Sequence, residues 1–350
     1  RHFTRLSQWN FSVDTNFYPL GSCTMKYNPK VNNETASLSG FAQHHPYTPE
    51  TLSQGSLQLM FELQEYLKEI SGMQYVSLQP AAGAHGELAG MLMIHAYHSA
   101  QGRQRKKVIL PDSAHGTNPA TATLCGYSVV QIQSDERGLI DPKKLESIMD
   151  EETAAVMLTN PNTLGMFETD ILKISDIVHE KGGLIYCDGA NLNAVMGKTK
   201  IKDMGIDVLH FNLHKTFSTP HGGGGPGAGP VGIVSKLEPF LPKPTIEHKD
   251  GKYTLNHNRP NSIGKMKAFY GNFGILVRAY TYIRSLGPEG IKKAAEMAVL
   301  NANYIKASLS EHYHLPYKGP SLHECVFNDK HQLKNKVSTM DIAKMLIDYG

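Results

Sequence analysis

Residues 154–190 read AAVMLTNPNTLGMFETDILKISDIVHEKGGLIYCDGA. An unbroken apolar run, Ala154 to Thr159, gives way to a polar turn. Asp170 to Lys181 then places Ile171, Ile174, Ile177 and Val178 on one helical face and stops at Gly182-Gly183. A second apolar run, Leu184 to Asp188, follows. Strands apolar on both faces and joined by a helix belong to a parallel sheet covered on both sides. Similar β-rich runs stand at Val108 to Leu110, Val129 to Ile132 and Val208 to Asn212, and Asp141-Pro142 supplies a helix N-cap with proline at the first helical position. The predicted class is therefore α/β with a mostly parallel sheet and flanking helices.

Upstream, Leu57, Met60, Leu63, Leu67 and Ile70 recur at spacings of three and four and predict a helix over Thr51 to Ile70. The first fifty residues lack such periodicity. Beyond Arg259 the pattern turns helical, with helices predicted over Phe273 to Leu286 and Glu289 to His312, a strand at His323 to Phe327 and a helix from Thr339. The expected division is an arm over 1–50, a large domain over 51–285, and a linking helix with a partial small domain over 286–350. Arg1 and Gly350 read as the ends of a piece of a longer chain.

Hydrophobic residues make up 40% of the 350, charged residues 19%, and the net charge is +3 without a basic block. These values fit a folded globular chain and give no footing for nucleic acid, while the interrupted apolar runs give none for a membrane span. Cys23, Cys125, Cys187 and Cys325 form no CxxC pair, which suits a reducing compartment and ordinary free thiols. There is no HExxH and His44-His45 are adjacent, so no metal is expected.

Lys215 follows the apolar run Val208 to Asn212, in HFNLHKTFS, and precedes a glycine-rich stretch. Ligands of α/β sheets gather at carboxyl ends of strands, where such a lysine can form an imine. Asp188 ends another strand 27 residues upstream. Pyridoxal phosphate (PLP) uses both groups, an amine for its aldehyde and an acid for its ring nitrogen. His115, in PDSAHGTN after Val108 to Leu110, could stack on a planar ring and shuttle a proton. Gln79 to Glu87 brings small residues to the start of a helix predicted over Leu88 to Ala100, suited to a phosphate. The turn Thr159 to Gly165 offers hydrogen-bonding side chains. Gly222, Gly224 and Gly227 satisfy GxGxxG, but three prolines and six glycines in 220–230 forbid the helix a dinucleotide site needs.

NFYPLGSCTMKYNPK, LQPAAGAHGELAG, PDSAHGTNPATA, LTNPNTLGMFE, YCDGANLNA, NLHKTFSTPHGGGGPG and GNFGILVRAYTYIRSLG, over nearly the whole chain, resemble segments of the glycine decarboxylase (P-protein) family of the glycine cleavage system. The resemblance is to the catalytic subunit 2 of two-chain enzymes or the carboxyl-terminal half of fused ones. It implies an aspartate aminotransferase-like, type I PLP fold, with glycine as substrate and a lipoylated H-protein receiving the aminomethyl group as CO2 leaves. It makes Lys215 the Schiff-base lysine, Asp188 the ring-nitrogen partner and His115 the stacked imidazole. Ala84 and His85 fall at the phosphate, with Thr163, Ala190 and His214 as near neighbours, and the arm 16–28 falls towards the substrate without an assigned role. A companion subunit 1 or amino-terminal half, a dimer or heterotetramer, and a cytoplasmic setting in preference to a mitochondrial matrix are further implications. Another type I enzyme, an aminotransferase or lyase, and a non-catalytic scaffold of the complex are the alternatives.

Overall fold

A computed structural model describes residues 1–10, 12, 13, 15, 27–221 and 227–349. Cys23, Gly222, Gly224 and most of the arm 16–28 lie outside the described residues.

Among the described residues, seven strands form one sheet: β1 (Tyr75–Ser77), β2 (Lys107–Pro111), β3 (Ser128–Ile132), β4 (Thr153–Thr159), β5 (Leu184–Gly189), β6 (Val208–Phe211) and β7 (Val231–Ile233). Their order is β1-β7-β6-β5-β4-β2-β3. β7 pairs antiparallel with both neighbours, and the remaining pairings are parallel. Five of these strands coincide within a residue or two with the predicted runs. Val156 and Leu158 enter one apolar core with Ile185 and Leu209, while Ala155 and Met157 enter a second with Tyr186 and Val208. Alternate residues of one strand thus face two cores, which is why β4 and β5 are apolar without interruption. Full burial of each large side chain contributes roughly 1.5–3 kcal/mol.

The helix Gln54–Ser71 buries Leu57, Met60, Leu63 and Leu67 and ends at Gly72, whose φ of 76° takes the left-handed turn of a helix stop. Asp141 caps the helix Pro142–Ile148 by accepting from the Lys143 N–H at 3.0 Å. The helix Phe273–Leu309 is broken at Gly287-Pro288, so it forms the two predicted helices, the second ending at Leu309.

Three readings change. The helix predicted from Leu88 spans Gly83–Ala100, so the small residues lie within its first turn. No strand forms at His323 to Phe327: among the described residues a single bridge, His314 to Asn328, stands beside it, and an extended segment without a paired neighbour makes no ladder. A hairpin of β8 (Thr245–Lys249) and β9 (Lys252–Asn256) stands where none was predicted.

Candidate active site

β5 and β6 are neighbours in register, Asp188 opposite His210, and both end at the same edge of the sheet. Beyond β6 the chain makes a short helical turn, Leu213–Thr216, that carries Lys215. Lys215 and Asp188 line one cavity of about 270 Å³, with His115 from the end of β2 and Ala84 from the helix after β1. Ala190 and His214 line it as well.

Asp188 is 4% exposed. Its Oδ1 accepts from the Ala190 N–H at 2.9 Å and its Oδ2 from Asn118 Nδ2 at 3.2 Å. His210 Nε2 lies 3.4 Å from Oδ1. Burial opposes the charge, but His210, the Ala190 N–H, Asn118 and Lys215 together outweigh it and hold the carboxyl below its ordinary range. Behind it, His210 contacts the Tyr186 hydroxyl through Nδ1 and Asn212 Nδ2 through Nε2, the latter at 3.1 Å. Burial pushes the His210 pKa down.

The start of a helix forms another part of the wall. The helix Gly83–Ala100 begins there, with Ala82, Gly83 and Ala84 in the wall and the His85 and Gly86 N–H groups donating to the Ala82 carbonyl at 3.1 and 2.9 Å. A Cβ on Gly83 would stand 1.9 Å from Asn212 Oδ1, and one on Gly86 would stand 2.3 Å from the Gly229 carbonyl oxygen. Only glycine lets this turn press so closely on the ends of β6 and β7. His85 is not in the cavity wall: its Nδ1 accepts from the Ala81 N–H at 3.1 Å, fixing the turn, and burial followed by the charge of Lys267 lowers its pKa. Thr163 is likewise outside the wall, donating from Oγ1 to the Ser113 carbonyl at 2.6 Å. His214 meets His221 edge-on with ring centroids 4.7 Å apart.

Several lining or supporting residues were not predicted. Asn118 holds Asp188, and His210 and Asn212 stand behind it. Glu87, 1% exposed, accepts from Thr117 Oγ1 at 3.0 Å, and Thr117 Oγ1 lies 2.8 Å from His115 Nδ1. A signal for Glu87 was available: it is the sole Asp, Glu, Lys or Arg in the eighteen residues GAHGELAGMLMIHAYHSA.

The arrangement combines an amine, a buried anion, a flat imidazole and a helix N-terminus, the parts needed to hold a phosphorylated planar aldehyde. Comparison with known proteins agrees with this geometry. The family described as "Aminotransferase class-V" matches residues 84–225, and "Glycine dehydrogenase, C-terminal domain" matches 294–350. A protein of Bacillus licheniformis named "Probable glycine dehydrogenase (decarboxylating) subunit 2" is 58% identical over 351 residues, spanning all of this chain and 72% of its own length. One of the same name from Chlorobaculum tepidum is 58% identical, with 100% of this chain and 73% of its own length covered. Among solved structures, a glycine decarboxylase (P-protein) in inhibitor-bound form superposes with a TM-score of 0.75 at 21% identity, covering 93% of this chain and 74% of that one. A sphingosine-1-phosphate lyase from Burkholderia pseudomallei does so at 0.66 and 15%, covering 85% and 71%. The fold is that of the type I, aspartate aminotransferase-like enzymes. Identity of this extent over the full length of the chain settles its kinship: it belongs to the glycine dehydrogenase (decarboxylating) subunit 2 family.

Proposed function

We propose that this chain is the PLP-bearing subunit of a glycine-decarboxylating enzyme, with Lys215 holding the cofactor aldehyde as an imine and Asp188 bound to its ring nitrogen. The observation that carries this reading is the shared cavity of Lys215 and Asp188, at the carboxyl ends of adjacent strands, with the acid held anionic. The residues fit the cofactor: an anion matches a protonated ring nitrogen, and Gly83 and Ala84, in the first turn of a helix, line the same cavity, where a helix start suits a phosphate and a Cβ on Gly83 would collide with Asn212 Oδ1. When bound, PLP supplies the electron sink that lets glycine lose its carboxylate as CO2.

The chain's own residues do the rest. The Asn118 and Ala190 donors fix the orientation of Asp188. The His115 imidazole lies at the cavity wall, where it can cover a ring face and move a proton at Nε2. Lys215 would supply the amine that holds the cofactor aldehyde and would keep that amine in the cavity wall. A companion subunit 1 and a lipoylated carrier protein that accepts the aminomethyl group complete the proposed reaction. The four cysteines without CxxC and the bacterial relatives favour a reducing bacterial cytoplasm.

The test uses the full-length protein with its companion subunit. It should bind PLP with an imine absorbance that Lys215→Ala abolishes, and exchange labelled bicarbonate into the glycine carboxyl when the lipoylated carrier is present. Transamination of amino-acid and oxo-acid pairs without bicarbonate exchange would refute decarboxylation. A colourless protein in excess PLP would refute the cofactor.

A further inference from the structure

Thr117 Oγ1 stands between Glu87 Oε2 at 3.0 Å and His115 Nδ1 at 2.8 Å. The Thr117 backbone N–H also faces His115 Nδ1, at 3.2 Å. A hydroxyl has one proton and a neutral imidazole has one N–H, so these contacts cannot all be satisfied in both charge states of Glu87. If Glu87 is neutral, its O–H donates to Thr117 Oγ1, the threonine hydroxyl donates to Nδ1, and the Thr117 N–H shares that lone pair. The ring proton of His115 then sits on Nε2. If Glu87 is ionised, the threonine hydroxyl must donate to Oε2 and accept from Nδ1–H. The backbone N–H loses its acceptor, and the lone pair appears on Nε2.

We propose that Glu87 is a positioning residue that sets the tautomer of His115 through Thr117, and so decides whether His115 presents a proton donor or a proton acceptor at Nε2. The proton balance closes: the Glu87 proton passes to Thr117 Oγ1, the threonine proton passes to Nδ1, and the Nε2 proton leaves to solvent. One proton is lost from the set, and the reverse sequence stores on Glu87 a proton taken up at Nε2. The proposal rests on the reading of His115 as the imidazole that faces the reacting centre.

Burial supports it. Glu87 Oε1 and Asn118 Oδ1 are both buried without a well-aligned hydrogen bond, an arrangement that disfavours a second negative charge beside Asp188. Burial pushes the Glu87 carboxyl up to about 7, with Asp188 adding to the rise and the Thr121, Thr117 and Asn118 side chains opposing it. Two further titratable groups feel the Glu87 charge, Tyr186, from β5, and Cys125, after the helix Thr117–Leu124. Burial pushes both of these up, so they are neutral, and Asp188 is the charged neighbour.

The test is nitrogen-15 NMR of histidine-labelled protein without added cofactor, with the His115 signals assigned by loss in His115→Gln. In the unsubstituted protein the Nε2–H tautomer should convert to Nδ1–H as pH rises through about 7. Glu87→Gln, which imitates the neutral acid, should keep Nε2–H throughout. Thr117→Val should leave Glu87 to titrate while His115 no longer follows, and it serves if Glu87→Gln does not fold. Ring protonation is separate, because it shifts both nitrogens. A wild-type tautomer that does not change with pH, or a transition that survives in either variant, would overturn the proposal. Lys215→Ala should lose the imine band with PLP yet keep the transition, so failure of the cofactor reading is read apart from failure of this one.

Discussion

Glu168 offers a quantitative check on the charge state of the buried carboxyls. It is 2% exposed, its Oε2 accepts from the Ile140 N–H at 3.1 Å, and its own N–H donates to Asn160 Oδ1 at 3.0 Å. These bonds anchor the turn that follows β4. Burial, the largest influence, raises its pKa from an ordinary 4.5 to about 7, the Ile140 N–H opposes the rise, and Asp135 adds to it. The folded protein therefore binds a proton more tightly than the unfolded chain, so stability falls as pH climbs from about 4.5 to about 7. A shift of this size corresponds to about 3 kcal/mol above neutrality as an upper figure. Glu168→Gln matches the neutral acid in shape and keeps an acceptor for Ile140. Urea unfolding should show the variant gaining on the wild type as pH rises, with most of that ~3 kcal/mol present by about pH 8 and little at about pH 4.5. A difference that is constant with pH, or that shrinks as pH rises, would refute the neutral buried acid.

Asp188→Asn removes the anion expected at the ring nitrogen, and glycine turnover should fall by roughly two orders of magnitude, about 3 kcal/mol, measured by bicarbonate exchange. Because the folded pKa of Asp188 is depressed, its contribution to stability is present above the ordinary carboxylate range and is lost as pH falls through the folded value, so melting curves of wild type and variant should converge in acid. Gly83→Ala drives a methyl onto Asn212 Oδ1 and should cost roughly 1–3 kcal/mol by urea unfolding, with weaker PLP retention on dialysis. Tyr186→Phe strips the hydroxyl from buried His210 and should cost roughly 1–3 kcal/mol, again by urea unfolding.

The parallel strands were legible because burial on both faces writes itself as unbroken apolar runs, as in Ala154 to Thr159. Their ends were equally legible, since Asp188 and Lys215 interrupt apolar sequence where a sheet places its ligands. β1 and β7 left no such trace: each has three residues, too few for a pattern, and β7 runs against its neighbours, which local sequence does not encode. The β8–β9 hairpin was readable and was missed. Asp250-Gly251 between TIEHK and KYTLN is a two-residue turn signal, and both residues take positive φ, 50° and 74°. His323 to Phe327 has the composition of a strand but finds no partner strand among the described residues, which composition alone does not reveal. The resemblance sets His85 at the phosphate with Ala84; helical geometry turns neighbouring side chains about 100° apart, and the His85 Nδ1 accepts from the Ala81 N–H.

The cavity draws its walls from residues as far apart as Ala82 and Gly227, delivered by separate strands whose spatial order differs from their order in the chain. No single hairpin or βαβ unit encloses it, so an occupant senses the assembled sheet as a whole. Saturation at 100 times the dissociation constant would add about 2.7 kcal/mol to the entire unfolding equilibrium instead of to one local segment. Slowed amide exchange on ligand loading should therefore extend through β2, β5 and β6 together, the strands whose carboxyl ends lead into the cavity.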